Sequence, residues 1–293
     1  AAISLALAAP LAAQEVTLRF QHFVSPLSAN PTGFMQPWAD AIEEQSGGRI
    51  AVELYPFMQL GGSAPNQYDL IRDGAIDGGW VIPGYQPGRF PEAEALELPF
   101  MSPKSAEQAS IAAWEFTQEH LMDDFADVHV IAAHMHGPGL VHLNGPAIDE
   151  LDDFGGLSLR GPSRPATLLL EELGATAFPE ALARGVVDGG VITWEMAPSL
   201  RLDELAQSHT DVAGDRSMYN LYFIWAMNRD VYEGLPEDLR AVIDANSGLM
   251  ASAWAGRAHD IGDTLGQEQM AAAGNQIAEL SPALTAEIET LGV

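Results

Sequence analysis

The stretch Leu157-Ser158-Leu159-Arg160-Gly161-Pro162, followed downstream by Gly185-Val186-Val187-Asp188-Gly189-Gly190-Val191-Ile192-Thr193-Trp194-Glu195, decides the fold. Both pieces read as short strands that run into a loop. Leu157 and Leu159 alternate towards a core, and Arg160 is the residue where the strand meets glycine and proline. An arginine at the carboxyl end of a parallel strand lies where open α/β sheets hold anionic ligands. Its guanidinium stays charged in any surroundings and offers a planar fork that matches a carboxylate. Arg160 is therefore the first candidate binding residue.

The second piece has a counterpart earlier in the chain. Leu70-Ile71-Arg72-Asp73-Gly74-Ala75-Ile76-Asp77-Gly78-Gly79-Trp80-Val81-Ile82 and Leu182-Ala183-Arg184-Gly185-Val186-Val187-Asp188-Gly189-Gly190-Val191-Ile192 share a helix end, a glycine stop, two apolar residues, Asp-Gly-Gly and a strand. Each is preceded by a Gly-Gly strand, Gly47-Gly48-Arg49-Ile50 in one case and Gly155-Gly156-Leu157-Ser158 in the other. Two related α/β lobes are implied, and clefts between domains are preferred ligand sites.

Charge narrows the partners. The 293 residues carry a formal net charge of -28, and Lys104 is the one lysine, so nucleic acid and anionic membrane surfaces are poor partners. An anionic small ligand is still admissible, because the long-range field is screened beyond about 8 Å and one arginine can dominate locally. Hydrophobic residues make up 47% of the chain, enough for a sizeable core. There are no cysteines, which removes disulfides, thiolate metal sites and a cysteine nucleophile. Residues 1–13 are apolar, rich in small residues and too short to cross a bilayer; they read as the remnant of a secretory signal peptide.

Further candidates follow in chain order. Val16 to Phe20 alternates as a first strand that delivers His22 to its end. Trp80 closes the first Asp-Gly-Gly copy. His134 and His136 share a strand face, the spacing of a His-x-His metal site, but the other histidines show no paired spacing; a hydrogen-bonding role for His136 in the cleft is preferred. A helix beginning at Ser163 or Arg164 points its N-terminus near Arg160. Met218 to Met227 reads as a buried strand from which Tyr219 or Tyr222 can reach the cleft. From Pro236 to about Ala272 apolar residues recur at helical spacing, a length of roughly 55 Å even if broken near Gly248.

These residues carry a family resemblance. Leu18-Arg19-Phe20-Gln21-His22, Ser46-Gly47-Gly48-Arg49-Ile50, Gln59-Leu60-Gly61-Gly62, Leu98-Pro99-Phe100, Leu151 to Arg160, Gly185-Val186-Val187-Asp188-Gly189 and Leu235-Pro236-Glu237-Asp238-Leu239 stand in order along the chain. In them the sequence resembles the substrate-binding proteins of tripartite ATP-independent periplasmic (TRAP) transporters. The resemblance implies a two-lobe periplasmic binding protein with a cleft between lobes and a long C-terminal helix spanning both. The expected division is 14–142 with 222–247 in lobe 1, and 143–221 with 248–293 in lobe 2. It also implies that His22 lies at the cleft, that a small organic acid is the ligand, and that the partner is a TRAP permease of a Gram-negative bacterium. No cofactor and no catalysis are implied, and a monomer is expected.

Three departures from the family pattern bear on the site. Thr193-Trp194-Glu195 stands where the family commonly has Asn-Pro, and Gly137-Pro138-Gly139-Leu140 offers no second arginine. Gly174 to Pro179 is shorter than the strand and loop the family places there, as though residues were deleted or missing. The expected site is thus Arg160 on the carboxylate, Trp80 and Trp194 around the ligand body, and His22, His136 and Tyr219 as hydrogen-bonding groups. Glu195 would accept from a hydroxyl or amine, or hold a bridging cation. The rival readings are an exported metal-dependent hydrolase built on His134 and His136, and a ligand sensor of the same fold.

Overall fold

The computed structural model describes residues 14–178 and 187–292. The expected signal remnant and the second repeat helix, Pro179 to Arg184, lie outside them. Eleven strands form two sheets: β1 Val16–Gln21, β2 Ile50–Tyr55, β3 Gly78–Val81, β4 Val128–Met135, β5 Gly139–Leu143, β6 Ser158–Arg160, β7 Thr176–Phe178, β8 Gly189–Thr193, β9 Ser208–Asp211, β10 Tyr222–Asn228 and β11 Gln276–Glu279. The first sheet runs β2-β1-β3-β10-β4 and the second β11-β9-β5-β8-β6-β7. Among the described residues ten α-helices surround them: α1 Gln36–Gln45, α2 Gln67–Arg72, α3 Pro91–Glu94, α4 Ala106–Phe116, α5 Arg164–Glu172, α6 Leu202–Leu205, α7 Arg229–Gly234, α8 Glu237–Ala245, α9 Leu249–Ala273 and α10 Pro282–Leu291.

The repeat read in the sequence is a repeat of pairing. Phe20 and Gln21 of β1 lie opposite Gly78 and Gly79 of β3, and Leu159 and Arg160 of β6 lie opposite Gly189 and Gly190 of β8, both parallel. In each copy the aspartate ties the two strands side by side. Asp77 Oδ2 accepts the Arg19 N–H at 2.8 Å, and Asp188 Oδ2 accepts the Ser158 N–H at 2.8 Å. Gln21 and Arg160 are thereby structural counterparts, each the last residue of its strand.

The chain leaves the first sheet after Met135 and enters the second at Gly139. Residues 139–142 therefore pair within the second sheet, not with lobe 1 as the sequence division had it. The short segment before Pro179 does contain a strand: β7 pairs parallel with β6 over three residues. The long C-terminal helix is broken at Gly248, whose φ of 86° ends α8's turn and caps α9. The 25 residues of α9 are about 37 Å long. Small residues let it press on its neighbours: a Cβ at Gly256 would meet the Ala106 carbonyl at 2.4 Å, and one at Gly266 the Trp194 carbonyl at 2.0 Å. Its Asp260 also accepts the Ala106 and Glu107 N–H groups at the start of α4. Among the described residues no helix is long and apolar enough to cross a membrane.

Candidate functional site

A cavity of about 180 Å³ lies at the carboxyl ends of β3, β6 and β8. Arg160 reaches its wall from β6 and opens also onto a wider groove of about 890 Å³, which shares Tyr85 and Leu200 with the cavity. Among the described residues the guanidinium has a long hydrogen bond of 3.3 Å to the Val191 carbonyl and the Tyr85 hydroxyl as a neighbour, and no carboxylate within ion-pair distance. Five donors on a planar fork are thus mostly unused.

The rest of the wall is aromatic and apolar. Phe23, Trp80 and Phe223 form a stack, with Phe23 at 4.8 Å on one face of Trp80 and Phe223 at 4.6 Å on the other. The indole N–H donates to His134 Nε2 at 2.8 Å, fixing Trp80 in its plane. Trp80 therefore presents an edge, and the faces that can meet a ligand belong to its two neighbours. Ile82, Ile192 and Leu221 complete the apolar surface.

Two polar groups face the same space. Tyr219 is buried, and burial pushes its phenol up, so the hydroxyl stays a donor. It lies close enough to Arg160, Tyr85, Glu97 and Glu195 to feel their charges. Glu195 is 7% exposed; its backbone N–H donates to Asp263 Oδ1 at 2.8 Å, which holds the turn after β8 against α9. Behind Tyr219, Glu97 is buried with its carboxyl against Gly84, and burial pushes it up to about 8. At neutral pH it is mainly uncharged and supplies no anion to Arg160.

Residues 20–291 match the family described as bacterial extracellular solute-binding protein, family 7. The chain belongs to this TRAP solute-binding family. A TRAP solute-binding protein of Rhodoferax ferrireducens, solved with copurified benzoate, is 40% identical with a TM-score of 0.90, covering 94% of this chain and 88% of its own. A marine metagenome TRAP protein specific for aromatic acids, solved with 3-hydroxybenzoate, is also 40% identical, with a TM-score of 0.91 and coverage of 95% and 89%. An outer membrane transporter protein of Comamonas testosteroni is 26% identical over 97% of this chain and 86% of its own length.

Of the residues expected to form the site of this TRAP protein, Arg160, Trp80, Glu195, Tyr219 and His136 line the cavity, and Trp194 and His22 do not. Trp194 turns the other way, into a cluster with Leu140, Leu202 and Met270, and packs on His142 and His209. There α9 meets it twice: Gly266 admits the Trp194 carbonyl, and Met270, one turn further on, joins the cluster that holds the indole. His22 is buried, its backbone N–H paired with the Tyr55 carbonyl, and burial pushes its ring down to about 4. His136 cannot serve the ligand as a donor. Its Nε2 accepts the Leu221 N–H at 2.9 Å and its Nδ1 bonds the Gly137 carbonyl at 2.6 Å, while burial pushes the ring down to about 3.

The His134 and His136 metal pair fails for the same reason, since His134 Nε2 is committed to Trp80. Among the described residues no three metal-ligating side chains are grouped. Sequence reasoning missed Phe23, Phe223 and Tyr85. Phe223 had a signal, because alternation along β10 puts it on the same face as Trp225; Phe23 lies in a loop and Tyr85 ends a three-residue 3-10 turn, with no periodicity to read.

Proposed function

We propose that this TRAP solute-binding protein captures a small aromatic monocarboxylate in the periplasm of a Gram-negative bacterium and delivers it to a TRAP permease. The observation that carries the reading is the Arg160 guanidinium, without an anion in ion-pair distance among the described residues, at the wall of a cavity lined mainly by aromatic and apolar side chains. A ligand carboxylate would take the fork bidentately, and a flat ring would lie among Phe23, Phe223 and the edge of Trp80. At about 180 Å³ the cavity is smaller than a drug-sized pocket, which suits a single-ring acid. Benzoate and 3-hydroxybenzoate, the ligands of the two relatives at 40% identity, are of this kind. The function needs no cofactor and no catalysis, and a monomer suffices, with one lobe built on each sheet. The net charge of -28 speaks against nucleic acid as a partner.

Titration calorimetry of benzoate, of aliphatic dicarboxylates and of neutral aromatic amides tests the reading. Benzoate should bind and the amide should not. Arg160→Lys should weaken benzoate by more than about tenfold, because a point charge cannot reproduce the fork. Binding of the neutral amide as tight as that of the acid would sink the proposal.

A further inference from the structure

Glu195 is an expensive residue in this position. It is 7% exposed, in a cavity also lined by Arg160, and among the described residues no lysine or arginine pairs with it; its one ionisable neighbour is His259, at 3.4 Å from Oε1. A carboxylate held so far out of water with so little hydrogen bonding is costly and recurs at functional sites.

Its surroundings hold it in place without satisfying it. The backbone is pinned to Asp263, and α9 approaches so closely that a Cβ at Gly262 would sit 2.8 Å from the Glu195 Cβ. Oε1 receives a long contact of 3.5 Å from the Thr193 hydroxyl and lies 3.4 Å from His259 Nδ1. Oε2 makes no hydrogen bond among the described residues. A carboxylate oxygen in that state accepts, so what completes it is an O–H or N–H donor. Neither the aromatic stack nor Ile192 and Leu221 can supply one. Tyr219 lines the same cavity as Arg160 and Glu195.

We propose that Glu195 is the specificity residue of the cavity, reading a hydrogen-bond-donating substituent, a hydroxyl or an amino group, on the ring of the acid that Arg160 holds. The proposal rests on the aromatic-acid reading and narrows it. Benzoate, with only C–H groups to offer, strips water from Glu195 and returns nothing. A site built around a buried polar group discriminates strongly against the analogue that leaves it unpaired.

The test is calorimetry of the full chain with benzoate and with the isomeric monohydroxy-, monoamino- and monomethoxybenzoates. At least one hydroxy or amino isomer should bind about tenfold or more tighter than benzoate and than its methoxy counterpart, which has the bulk but no donor. Whether the hydroxy or the amino isomer gains names the donor. In Glu195→Gln that preference should shrink to less than about threefold, with benzoate bound more tightly than in the parent because the buried charge is gone, and a cooperative thermal unfolding transition shows that the variant folds. Equal binding of benzoate and every donor isomer overturns the proposal and leaves the aromatic-acid reading standing. So does a methoxy isomer that matches its donor counterpart, or a full preference retained in Glu195→Gln. If that variant does not fold, the parent series alone decides. If no benzoate of any kind binds, both readings fall.

Discussion

Gln21 and Arg160 occupy the same place in two copies of one motif, and the protein uses them in opposite ways. Gln21 is fully buried and fully employed: its amide donates to the Gly61 carbonyl and to Gln67 Oε1, both at 3.1 Å, and its oxygen accepts the Leu60 N–H at 2.6 Å. Among the described residues Arg160 has only a long bond to the Val191 carbonyl and the Tyr85 hydroxyl beside it, with most of its donors unused. One strand end closes its loop with internal bonds; the other leaves its donors for something that arrives. Duplication thus supplies two anchoring points, and only the one left unsatisfied becomes a binding group.

Exchanging the roles is the most severe test of that contrast. Arg160→Gln, which copies the β1 solution onto β6, should weaken benzoate by about a hundredfold or more, since a charged hydrogen-bonded partner is worth several kcal/mol. Its unfolding midpoint in denaturant should stay close to that of the parent. Gln21→Ala should do the reverse: about 2–3 kcal/mol lost in chemical unfolding, from stranding the Leu60 N–H and the Gln67 amide, with benzoate affinity kept within about twofold. A loss of affinity in Gln21→Ala equal to that in Arg160→Gln would abolish the distinction.

A smaller effect sharpens it. Glu97 is uncharged at neutral pH because burial raises it to about 8, and both Tyr85 and Tyr219 beside Arg160 would feel its ionisation. Benzoate affinity should therefore decline as pH rises through about 8, as a second anion forms near the guanidinium. Stability follows the same sign. The folded state holds this proton more tightly than the unfolded chain, whose value is near 4.5, so the contribution is complete below 4.5 and is lost as pH climbs to about 8. Glu97→Gln should flatten both profiles, read by calorimetry and by denaturant unfolding across pH.

The mildest prediction concerns the aspartates that define the repeat. Asp77→Asn and Asp188→Asn each weaken an acceptor for one backbone N–H, and each should cost about 1 kcal/mol in unfolding. Asp77 also meets Arg19 Nε at 3.1 Å on a partly exposed surface, which adds little. Unequal losses greater than about twofold would mean that the two copies differ in more than their strand ends.

Much of the fold was legible because it is written in local pattern. The Asp-Gly-Gly copies, the alternation of β1 and the helical spacing after Pro236 each predict an element that the structure contains. Arg160 was legible for the same reason: strand, charge and Gly-Pro stand next to each other. Trp194 points away from the cavity because alternation stops when β8 ends at Thr193, and the residues that receive its indole, Leu140, Leu202 and Met270, lie far apart along the chain. His136 lines the cavity, but backbone groups and not a ligand take its ring nitrogens. Which backbone groups claim a ring nitrogen depends on Leu221 and Gly137, and no spacing reports that. The ligand-facing rings, Phe23 and Phe223, hide behind the tryptophan that the sequence advertises.

The notches on α9 have a mechanical consequence. Gly256 seats the helix on the Ala106 carbonyl and Gly266 seats it on that of Trp194, so the rod is keyed to a neighbour of each sheet and has no room to slide along its axis. Any change in the angle between the sheets must flex it. A ligand that draws the two sheets together would then work against the stiffness of this rod, and a methyl group added at Gly256 should change affinity without touching the cavity.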